Sequence, residues 1–209
     1  MSNSDSDLVV AIWMVTYNHE NYIEQAIESV MMQKTTFNYK LIIGEDCSTD
    51  STRAICLKLK GKYPDKIELQ LNEENLGHDK NGLVVYDLCY KSKATYIAML
   101  EGDDYWMDPL KLQKQIDFLE DNVDYSLSFT RFKVKEDDDR SLKNDKIGHY
   151  FKNDETSIIF DFKKFETGWY GGLPTLVFRA KSFNLKLTLK YSYFRDVHLF
   201  TELLKKGKG

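Results

Sequence analysis

The sequence predicts an α/β fold in which a mostly parallel central sheet is flanked by helices on both faces. Two apolar stretches, 8–15 and 96–100, run without alternation and are typical of strands that are covered on both sides. Shorter strands are expected at Tyr39–Gly44 and Ile67–Leu71. A helical pattern follows each of the four strands, and such alternation favours parallel strands joined by right-handed crossovers.

The helices of the first half are predicted from the spacing of apolar residues. After the first strand, apolar side chains recur at helical spacing and form a core-facing stripe of Ile23, Ala26, Ile27, Val30 and Met31. Similar patterns predict helices after residue 52, around residues 83–89 and from about Pro109 to Glu120. Ser48 or Asp50 is expected to cap the second of these helices.

From residue 125 the pattern changes, and the second half is predicted to be less regular. Alternation of apolar and polar residues over 125–130 is typical of a half-exposed strand. Further strands are expected at Ser157–Phe162 and Leu173–Arg179, and a helix is expected at Val197–Lys205. The charged stretch Lys133–Tyr150 is predicted to be a mobile surface excursion.

The composition is that of an ordinary globular protein. The chain has 209 residues, of which 42% are hydrophobic and 30% charged, and its formal net charge is −4. That charge argues against a nucleic-acid partner, and no apolar stretch approaches the ~20 residues that span a bilayer. Three cysteines without CxxC spacing favour reduced thiols, so the cytoplasm is the expected compartment. Residues 1–7 are expected to be a disordered lead-in.

Three carboxylates, Glu101, Asp103 and Asp104, directly follow the apolar stretch at 96–100. Ligands of open α/β sheets bind beyond the carboxyl ends of such strands. Carboxylates this close repel one another, and a shared divalent cation would relieve the repulsion. Oxygen ligands favour Mg²⁺ or Mn²⁺, which commonly accompany a substrate phosphate. The alternative is an acidic turn before the next helix, with Asp108 as its cap and Pro109 as its first residue.

Three polar motifs each follow a predicted strand, in the order Thr16-Tyr17-Asn18, Glu45-Asp46-Cys47-Ser48-Thr49-Asp50 and Glu101-Gly102-Asp103-Asp104-Tyr105-Trp106. Together they resemble the family 2 glycosyltransferases of the GT-A fold, inverting enzymes that use nucleotide-sugar donors. The resemblance extends from Leu8 to about Gly207 and is close to bacterial members. It implies a single domain over 8–209, with a nucleotide-binding half at 8–120 and an acceptor-binding half at 121–209. Because the chain stops just past a predicted helix, whether residues follow Gly209 is left open.

The resemblance implies positions for the donor nucleotide. Val15 and Tyr17 stand where the family packs the base and ribose, and Tyr17 could stack on a flat base or be a core tyrosine. Asp46 corresponds to the aspartate that accepts the imide N–H of uracil or thymine; alternatively, it caps a helix. Lys80 lies where members place a cation facing the pyrophosphate, and His78 has similar standing, but both could be solvated.

The acidic motif corresponds to the family's Asp-x-Asp element. By that resemblance, Asp104 reaches a Mn²⁺ or Mg²⁺ cofactor most directly, and Asp103 contacts the ribose or the ion. Glu101 replaces the aspartate often found first, and its longer side chain departs from the pattern. Trp106 would line the sugar pocket or anchor the following helix in the core. Thr175 would form part of the acceptor floor.

An inverting transfer also needs a base for the acceptor hydroxyl. The family places an aspartate directly before a late helix, and Asp196 in Phe-Arg-Asp-Val-His-Leu-Phe matches that position. Asp196 could also be an ordinary helix-capping carboxylate, and the two roles are compatible. His198 would point away from Asp196 and is expected to pack or to lie at the surface.

The expected function is transfer of a sugar from a UDP- or dTDP-sugar to a hydroxyl of a saccharide or lipid-linked saccharide, with inversion. Bacterial relatives build surface polysaccharides, so that pathway is expected by association. Peripheral association with the inner face of the membrane is left open. Two alternatives remain. One is a nucleotidyltransferase of similar fold, although residues 16–21 contain no phosphate-binding glycine. The other is a non-catalytic nucleotide-sugar-binding or scaffold module.

Overall fold

The computed structural model describes residues 8–135, 142–144, 157–168, 171–184, 186 and 195–209. The strands within these residues are β1 Leu8–Thr16, β2 Asn38–Glu45, β3 Ile67–Leu71, β4 Tyr96–Met99, β5 Leu127–Ser128, β6 Lys133–Lys135, β7 Leu142–Asn144 and β8 Val177–Arg179. The helices are α1 Ile23–Met31, α2 Thr52–Lys62, α3 His78–Lys91, α4 Lys111–Asp121, α5 Phe162–Phe165 and α6 Asp196–Leu204. Two 3-10 turns, Leu173–Thr175 and Ala180–Ser182, flank β8.

A six-stranded sheet forms the centre of the molecule, in the order β3-β2-β1-β4-β8-β5. The first four of these strands are parallel, and β8 is antiparallel to both β4 and β5. Strands β6 and β7 form a separate antiparallel pair. The mostly parallel sheet that the sequence predicts is confirmed, and its antiparallel part comes from the second half of the chain.

Both faces of the sheet are buried under helices. Ile12 of β1 belongs to an apolar cluster that includes Leu112 of α4, together with residues of α1 and α2. The next residue, Trp13, points to the opposite face, where the cluster includes Val85 of α3 and Leu199 of α6. This alternation follows from the pleat of a strand. The predicted three-layer α/β/α arrangement is therefore confirmed.

The second half differs from the prediction in its details. Residues 157–160 are not a strand, and α5 begins within the stretch predicted as Ser157–Phe162. Phe160 instead exchanges backbone hydrogen bonds of 2.6 Å with Gly209, and its buried ring contacts Phe129, Phe165 and Phe200 edge to face. The short apolar run at 158–160 was therefore predicted as a strand, whereas its Phe160 packs in an aromatic cluster outside the sheet.

Other predictions for this half are met in part. The strand expected over 125–130 is limited to β5, and the first part of Leu173–Arg179 is a 3-10 turn before β8. Of the predicted excursion 133–150, β6 and β7 are described, whereas most of it lies outside the described residues, as do residues 1–7. In the described part of the chain, no helix combines the length and the apolar character needed to cross a bilayer.

Candidate active site

The loops that follow β1, β2 and β4 lie at the same edge of the sheet, because these neighbouring strands are parallel. The loop after β4 continues along β1: the N–H of Leu100 donates to the carbonyl of Trp13 at 3.1 Å, and that of Gly102 to the carbonyl of Val15 at 3.0 Å. A Cβ atom on Gly102 would lie 2.7 Å from Cβ and Oγ1 of Thr16. The acidic loop is therefore held against the end of β1.

The carboxylates of this loop interact strongly. Burial raises the pKa of Asp104 to about 7, and the charges of Asp103 and Glu101 act in the same direction. Asp103 lies 3.9 Å from the Nε2 atom of His19. Among the described residues, no three His, Cys, Asp or Glu side chains are grouped as a metal site. The structure thus places Asp103 and Asp104 together, and their role as metal ligands stays a prediction.

The loops after β1 and β2 are joined by reciprocal hydrogen bonds. The backbone N–H of Asn18 donates to Oγ of Ser48 at 3.0 Å, and Oδ1 of Asn18 accepts from the N–H of Thr49 at 2.9 Å. Similarly, the N–H of Glu20 donates to Oδ2 of Asp50 at 3.1 Å. Tyr17 directly precedes the paired residue Asn18, and it is 39% exposed and accessible to a ligand.

Only one of the two predicted caps of α2 lies at the helix start. Oδ1 of Asp50 accepts from the N–H of Thr52, the first residue of α2, at 2.9 Å. The hydroxyl of Ser48 is instead engaged by Asn18, so of the two alternatives Asp50 caps the helix start and Ser48 does not. The physical reason is that the hydroxyl joins two loops that are distant in the sequence but adjacent in the sheet.

Asp46 is buried and organises the loop before α3. Its Oδ1 atom accepts from the side-chain amide of Asn72 at 2.8 Å and from the N–H of Leu76 at 2.9 Å, and its Oδ2 atom accepts from the N–H of Gly77 at 2.9 Å. It does not cap α2. Each oxygen of a carboxylate can accept more than one hydrogen bond. Oδ2 therefore has capacity for a further donor such as a base imide.

His78 is the first residue of α3 and faces the acidic loop. Its Nε2 atom lies 3.1 Å from Oε1 of Glu101, and its Nδ1 atom lies 3.4 Å from Oδ1 of Asp79. The hydrogen bond to Glu101 raises the pKa of His78 against the effect of burial. Lys80 is exposed and, among the described residues, forms no ion pair or hydrogen bond. Of the two predicted cations, His78 is the one whose contacts place it at the site.

Asp196 is the first residue of α6 and lies in a cleft shared with α3. Burial raises its pKa, as does the charge of Glu101, whereas His78 and Arg195 lower it. Since Glu101 also raises the pKa of Asp104, both aspartates lie close enough to one carboxylate to respond to its charge. The structure therefore brings Asp104 and Asp196, which are far apart in the sequence, to the same edge of the sheet.

The cleft is open, and the space in it amounts to about 400 Å³ when the solvent at its mouth is included. Its polar lining residues are His78 and Asp79 from α3, and Arg195 and Asp196 from the start of α6. Nη1 of Arg195 lies 2.9 Å from Oδ1 of Asp79 and connects the two helices. His198 accepts the backbone N–H of Arg195 at 3.0 Å through Nδ1, so its side chain helps to start α6.

Trp106 and Thr175 are neighbours, but both are buried, with 4% and 5% of their surface exposed. The indole N–H of Trp106 donates to the carbonyl of Pro174 at 2.8 Å, and the Thr175 hydroxyl donates to the carbonyl of Gly172 at 2.8 Å. These contacts favour the core-anchor alternative for Trp106. Val15 is likewise buried, at 5% exposure.

Three charged residues near the site were not predicted as site residues from the sequence. Glu45 is fully buried, pairs with Arg53 and accepts the N–H of Ser48 at 2.7 Å, so it supports the loop after β2. Lys111 is buried against the Trp106 ring, and burial lowers its pKa to about 7. Arg195 bridges α6 to α3. The position of Glu45 directly before Asp46 was a usable signal, whereas the other two depend on tertiary contacts.

Comparisons with known proteins agree with this architecture. Residues 11–185 match the family model described as glycosyl transferase family 2. TuaG of Bacillus subtilis, named as a teichuronic acid biosynthesis glycosyltransferase, is 28% identical over 95% of this chain and 73% of its own length. EpsE of the same organism, named as a glycosyltransferase, is 36% identical over 56% of this chain and 41% of its own. An uncharacterised Mycobacterium tuberculosis protein is 34% identical over 60% of this chain.

Solved structures show the same fold at low sequence identity. Staphylococcus aureus TarS, residues 1–349, superposes with a TM-score of 0.64 at 20% identity and covers 95% of this chain. The crystal structure of TarS in complex with UDP-GlcNAc also gives a TM-score of 0.64 at 20% identity, over 94% of this chain. The chain spans 35% of the mycobacterial relative and 56% of that first TarS chain. The family model covers most of the sequence, and the chain therefore belongs to glycosyltransferase family 2.

Proposed function

We propose that this protein transfers a sugar from a UDP- or dTDP-sugar to an acceptor hydroxyl with inversion at the anomeric carbon. The observation that carries the proposal is that Asp104 and Asp196 converge on Glu101. Asp104 belongs to the same acidic loop as Glu101, and Asp196 lines one cleft with His78, whose Nε2 atom lies 3.1 Å from Oε1 of Glu101. One aspartate lies where a diphosphate and its cation would bind. The other lies where an acceptor would be deprotonated, beside an open cleft.

The donor nucleotide lies in this proposal between the loops after β1 and β2. Tyr17, half exposed, stacks on the base, and Oδ2 of Asp46 accepts the imide N–H of uracil or thymine. Val15 contributes the end of a buried strand beneath them. The TarS crystal structures contain UDP or UDP-GlcNAc, which supports a uridine donor for a chain with the same fold.

A divalent cation, Mn²⁺ or Mg²⁺, fits the chemistry of the acidic loop. Asp103 and Asp104 present oxygen ligands only, and the raised pKa of Asp104 arises in part from neighbouring negative charge that a cation would offset. These two residues would hold the ion. When bound, the ion would supply positive charge to the departing diphosphate.

The chain's own groups act in a single displacement. Asp196 accepts the proton of the acceptor hydroxyl as its oxygen bonds to the anomeric carbon, and the bond from that carbon to the diphosphate oxygen breaks with its electron pair. His78, in which the Glu101 contact favours the protonated form, faces the departing diphosphate from the N-terminus of α3. A helix N-terminus favours such an anion. Lys80, which is exposed on the same turn, offers further positive charge.

The acceptor is proposed to be a saccharide or a lipid-linked saccharide in surface-polysaccharide synthesis. TuaG is named for teichuronic acid biosynthesis, and another relative, GgaA of Bacillus subtilis, is named for minor teichoic acid biosynthesis. The location we propose is the cytoplasm, at the inner face of the membrane when the acceptor is lipid-linked. Trp106 and Thr175 would support the acceptor side from beneath, since both are buried.

The experiment that tests the proposal separates donor binding from chemistry. Isothermal titration with UDP and Mn²⁺ should show binding that Asp104→Asn weakens and Asp196→Asn leaves unchanged. Release of UDP from a panel of nucleotide sugars should fall at least about 100-fold in Asp196→Asn, because general-base catalysis contributes that much.

Asp124→Asn is the matched control, because Asp124 is exposed and pairs with Lys208 away from the cleft. It should leave both measurements unchanged. The proposal fails if UDP does not bind at millimolar concentration with Mn²⁺. It also fails if Asp196→Asn retains the wild-type rate of UDP release.

A further inference from the structure

The floor of the cleft beside Asp196 is apolar, in contrast to its charged rim. The floor is lined by side chains that are each less than a tenth exposed, namely Trp13, Tyr86, Met99, Leu173 and Leu199. Leu83, which is half-buried on α3, completes one wall. The charged residues at the rim come from the starts of α3 and α6. A ligand that enters from the rim therefore meets apolar surface next to the proposed reacting centre.

The polar atoms of this floor already have partners. The indole N–H of Trp13 donates to the carbonyl of Gly82 at 2.9 Å, and the Tyr86 hydroxyl donates to Sδ of Met99 at 3.5 Å. The rings of Trp13 and Tyr86 lie 5.3 Å apart between centroids. A hydroxyl group placed here would lose its hydrogen bonds to water without replacement, which is costly.

The floor is also closely packed where α3 crosses Trp13. Helix α3 passes so near to Trp13 that a Cβ atom on Gly82 would lie 3.1 Å from Cζ2 of the indole. Trp13 is held in turn by its hydrogen bond to this same helix. A preformed apolar site with polar groups at its mouth favours a ligand that has one small apolar end and a polar body.

We infer that this floor, which we call the Trp13 subsite, binds the methyl of an acetamido group on a sugar held at Asp196. The inference rests on the proposed function, since it names a substituent of a sugar at the same site. An acetamido group carries a methyl on a polar amide, so the methyl reaches the floor while the amide remains near the charged rim. The substrate class is therefore 2-acetamido sugars, contributed either by the donor or by the acceptor.

Saturation-transfer NMR with the full chain tests this directly, because the acetamido methyl has its own resonance and the measurement needs no turnover. The probes are UDP-GlcNAc for the donor arm and methyl N-acetylglucosaminide for the acceptor arm, with UDP-glucose and methyl glucoside as matched ligands without the methyl. For one of the two acetamido ligands, the acetamido methyl should receive more saturation than any other proton of that ligand. UDP-GlcNAc should bind about tenfold more tightly than UDP-glucose if the donor carries the group.

Leu83→Trp fills the Trp13 subsite from its wall, and Val84→Trp is its matched control. Both positions are half-buried on α3, but Leu83 lines the cleft and Val84 does not. Leu83→Trp should abolish the preferential methyl saturation, whereas Val84→Trp should retain it. Leu83→Phe provides a second filling variant if circular dichroism shows that Leu83→Trp does not fold.

The outcomes separate the subsite from the proposed function. If UDP binds but neither methyl is preferentially saturated, or if the filling variants leave saturation unchanged, the Trp13 subsite is wrong and nucleotide binding stands. If UDP does not bind at all, the proposed function fails, and the free glycoside still reports on the subsite. Methyl saturation confined to the methyl N-acetylglucosaminide assigns the group to the acceptor and supports the subsite.

Discussion

The carboxyl group of Asp104 shows how strongly the acidic loop depends on charge. Its pKa is raised from 3.8 to about 7, first by burial and then by the charges of Asp103 and Glu101. A raised pKa means that the folded protein favours the protonated form. The stabilisation that is linked to the raised pKa of Asp104 is therefore fully present below pH 3.8, and it is lost as the pH rises through 7. Above that pH the ionised carboxylate works against folding.

Asp104→Asn should consequently stabilise the metal-free protein at pH 8, because the amide cannot ionise. We expect a gain in the free energy of unfolding of about 1 kcal/mol or more, with solvent screening reducing the full linkage value. Urea denaturation in EDTA at pH 8 and pH 4 measures it, and the gain should shrink towards zero at pH 4. A variant that is no more stable than the wild type at pH 8 would contradict this view of the loop.

Asp124→Asn provides a contrast of opposite sign. The hydrogen bond from Lys208 lowers the pKa of Asp124, so its contribution is present above the unfolded value and is lost as the pH falls. Replacing Asp124 should remove a stabilising charge at pH 8, whereas replacing Asp104 removes a destabilising one.

For single residues, motif order indicates candidate aspartates but not the hydrogen-bond partners that hold the loops. Asp104 follows a strand and Asp196 begins a helix that the apolar pattern already predicts, and the charge of Glu101 raises the pKa of both. The partners of Asp46 and Ser48 lie about 30 residues away in the chain. No local pattern encodes such contacts, because they arise only when neighbouring strands place their loops side by side.

Among the structural elements, the loop after β4 depends on a close approach to β1. Gly102→Ala should destabilise the protein by about 1–3 kcal/mol, as overpacking does. The new Cβ atom would lie 2.7 Å from Cβ of Thr16, which is branched and fixed to a buried strand. Gly61→Ala in α2 is the control. A Cβ there meets nothing within 4 Å, and the change should stabilise by about 0.5–1 kcal/mol. Equal effects in urea denaturation would refute the argument.

The start of α6 is a second element whose position has a functional consequence. Arg195 connects it to Asp79 of α3 and also lowers the pKa of the adjacent Asp196. Arg195→Gln should therefore raise the pKa of Asp196 and move the acidic limb of the pH profile of kcat/KM to higher pH. Arg195→Lys, which keeps the charge, should retain the wild-type profile.

Lys205→Gln serves as the control for this prediction. Lys205 caps the other end of α6 and pairs with Glu202 at 2.8 Å. Its replacement should leave the acidic limb where it is. An unchanged profile in Arg195→Gln would show that the charge at the helix start does not reach Asp196.

The elements of the first half could be predicted because their apolar residues form unbroken runs or repeat at helical spacing within each segment. Those of the second half are short: β5 and β8 contain two and three residues. Strands this short are defined by pairing rather than by pattern. The segment around Phe160 is a short apolar run, and such a run can be a strand or part of a core. Its ring packs in an aromatic cluster, which the sequence pattern alone could not show.

In the whole molecule, β8 joins the two halves of the chain in one sheet. It comes from the second half, yet it pairs with β4 on one side and β5 on the other. Phe178 of β8 lies opposite Ile97 and opposite Leu127, and all three are fully buried. The sequence could not place this antiparallel strand, since its neighbours are about 80 and 50 residues away. We expect the halves to unfold together as one domain.

Phe178→Ala tests that expectation. The substitution removes core volume in the second half, and it should also lower the urea midpoint at which the first half unfolds. The probe is the fluorescence of Trp13 and Trp106, both of the first half, in a background where Trp169 is replaced by phenylalanine. The urea midpoint measured by tryptophan fluorescence should fall together with the midpoint measured by circular dichroism. The free energy of unfolding should decrease by about 3–5 kcal/mol. Val123→Ala, at a position 85% exposed, should change neither. If the tryptophan transition stays in place while part of the dichroism is lost earlier, the nucleotide-binding half folds by itself and the single-domain prediction is wrong.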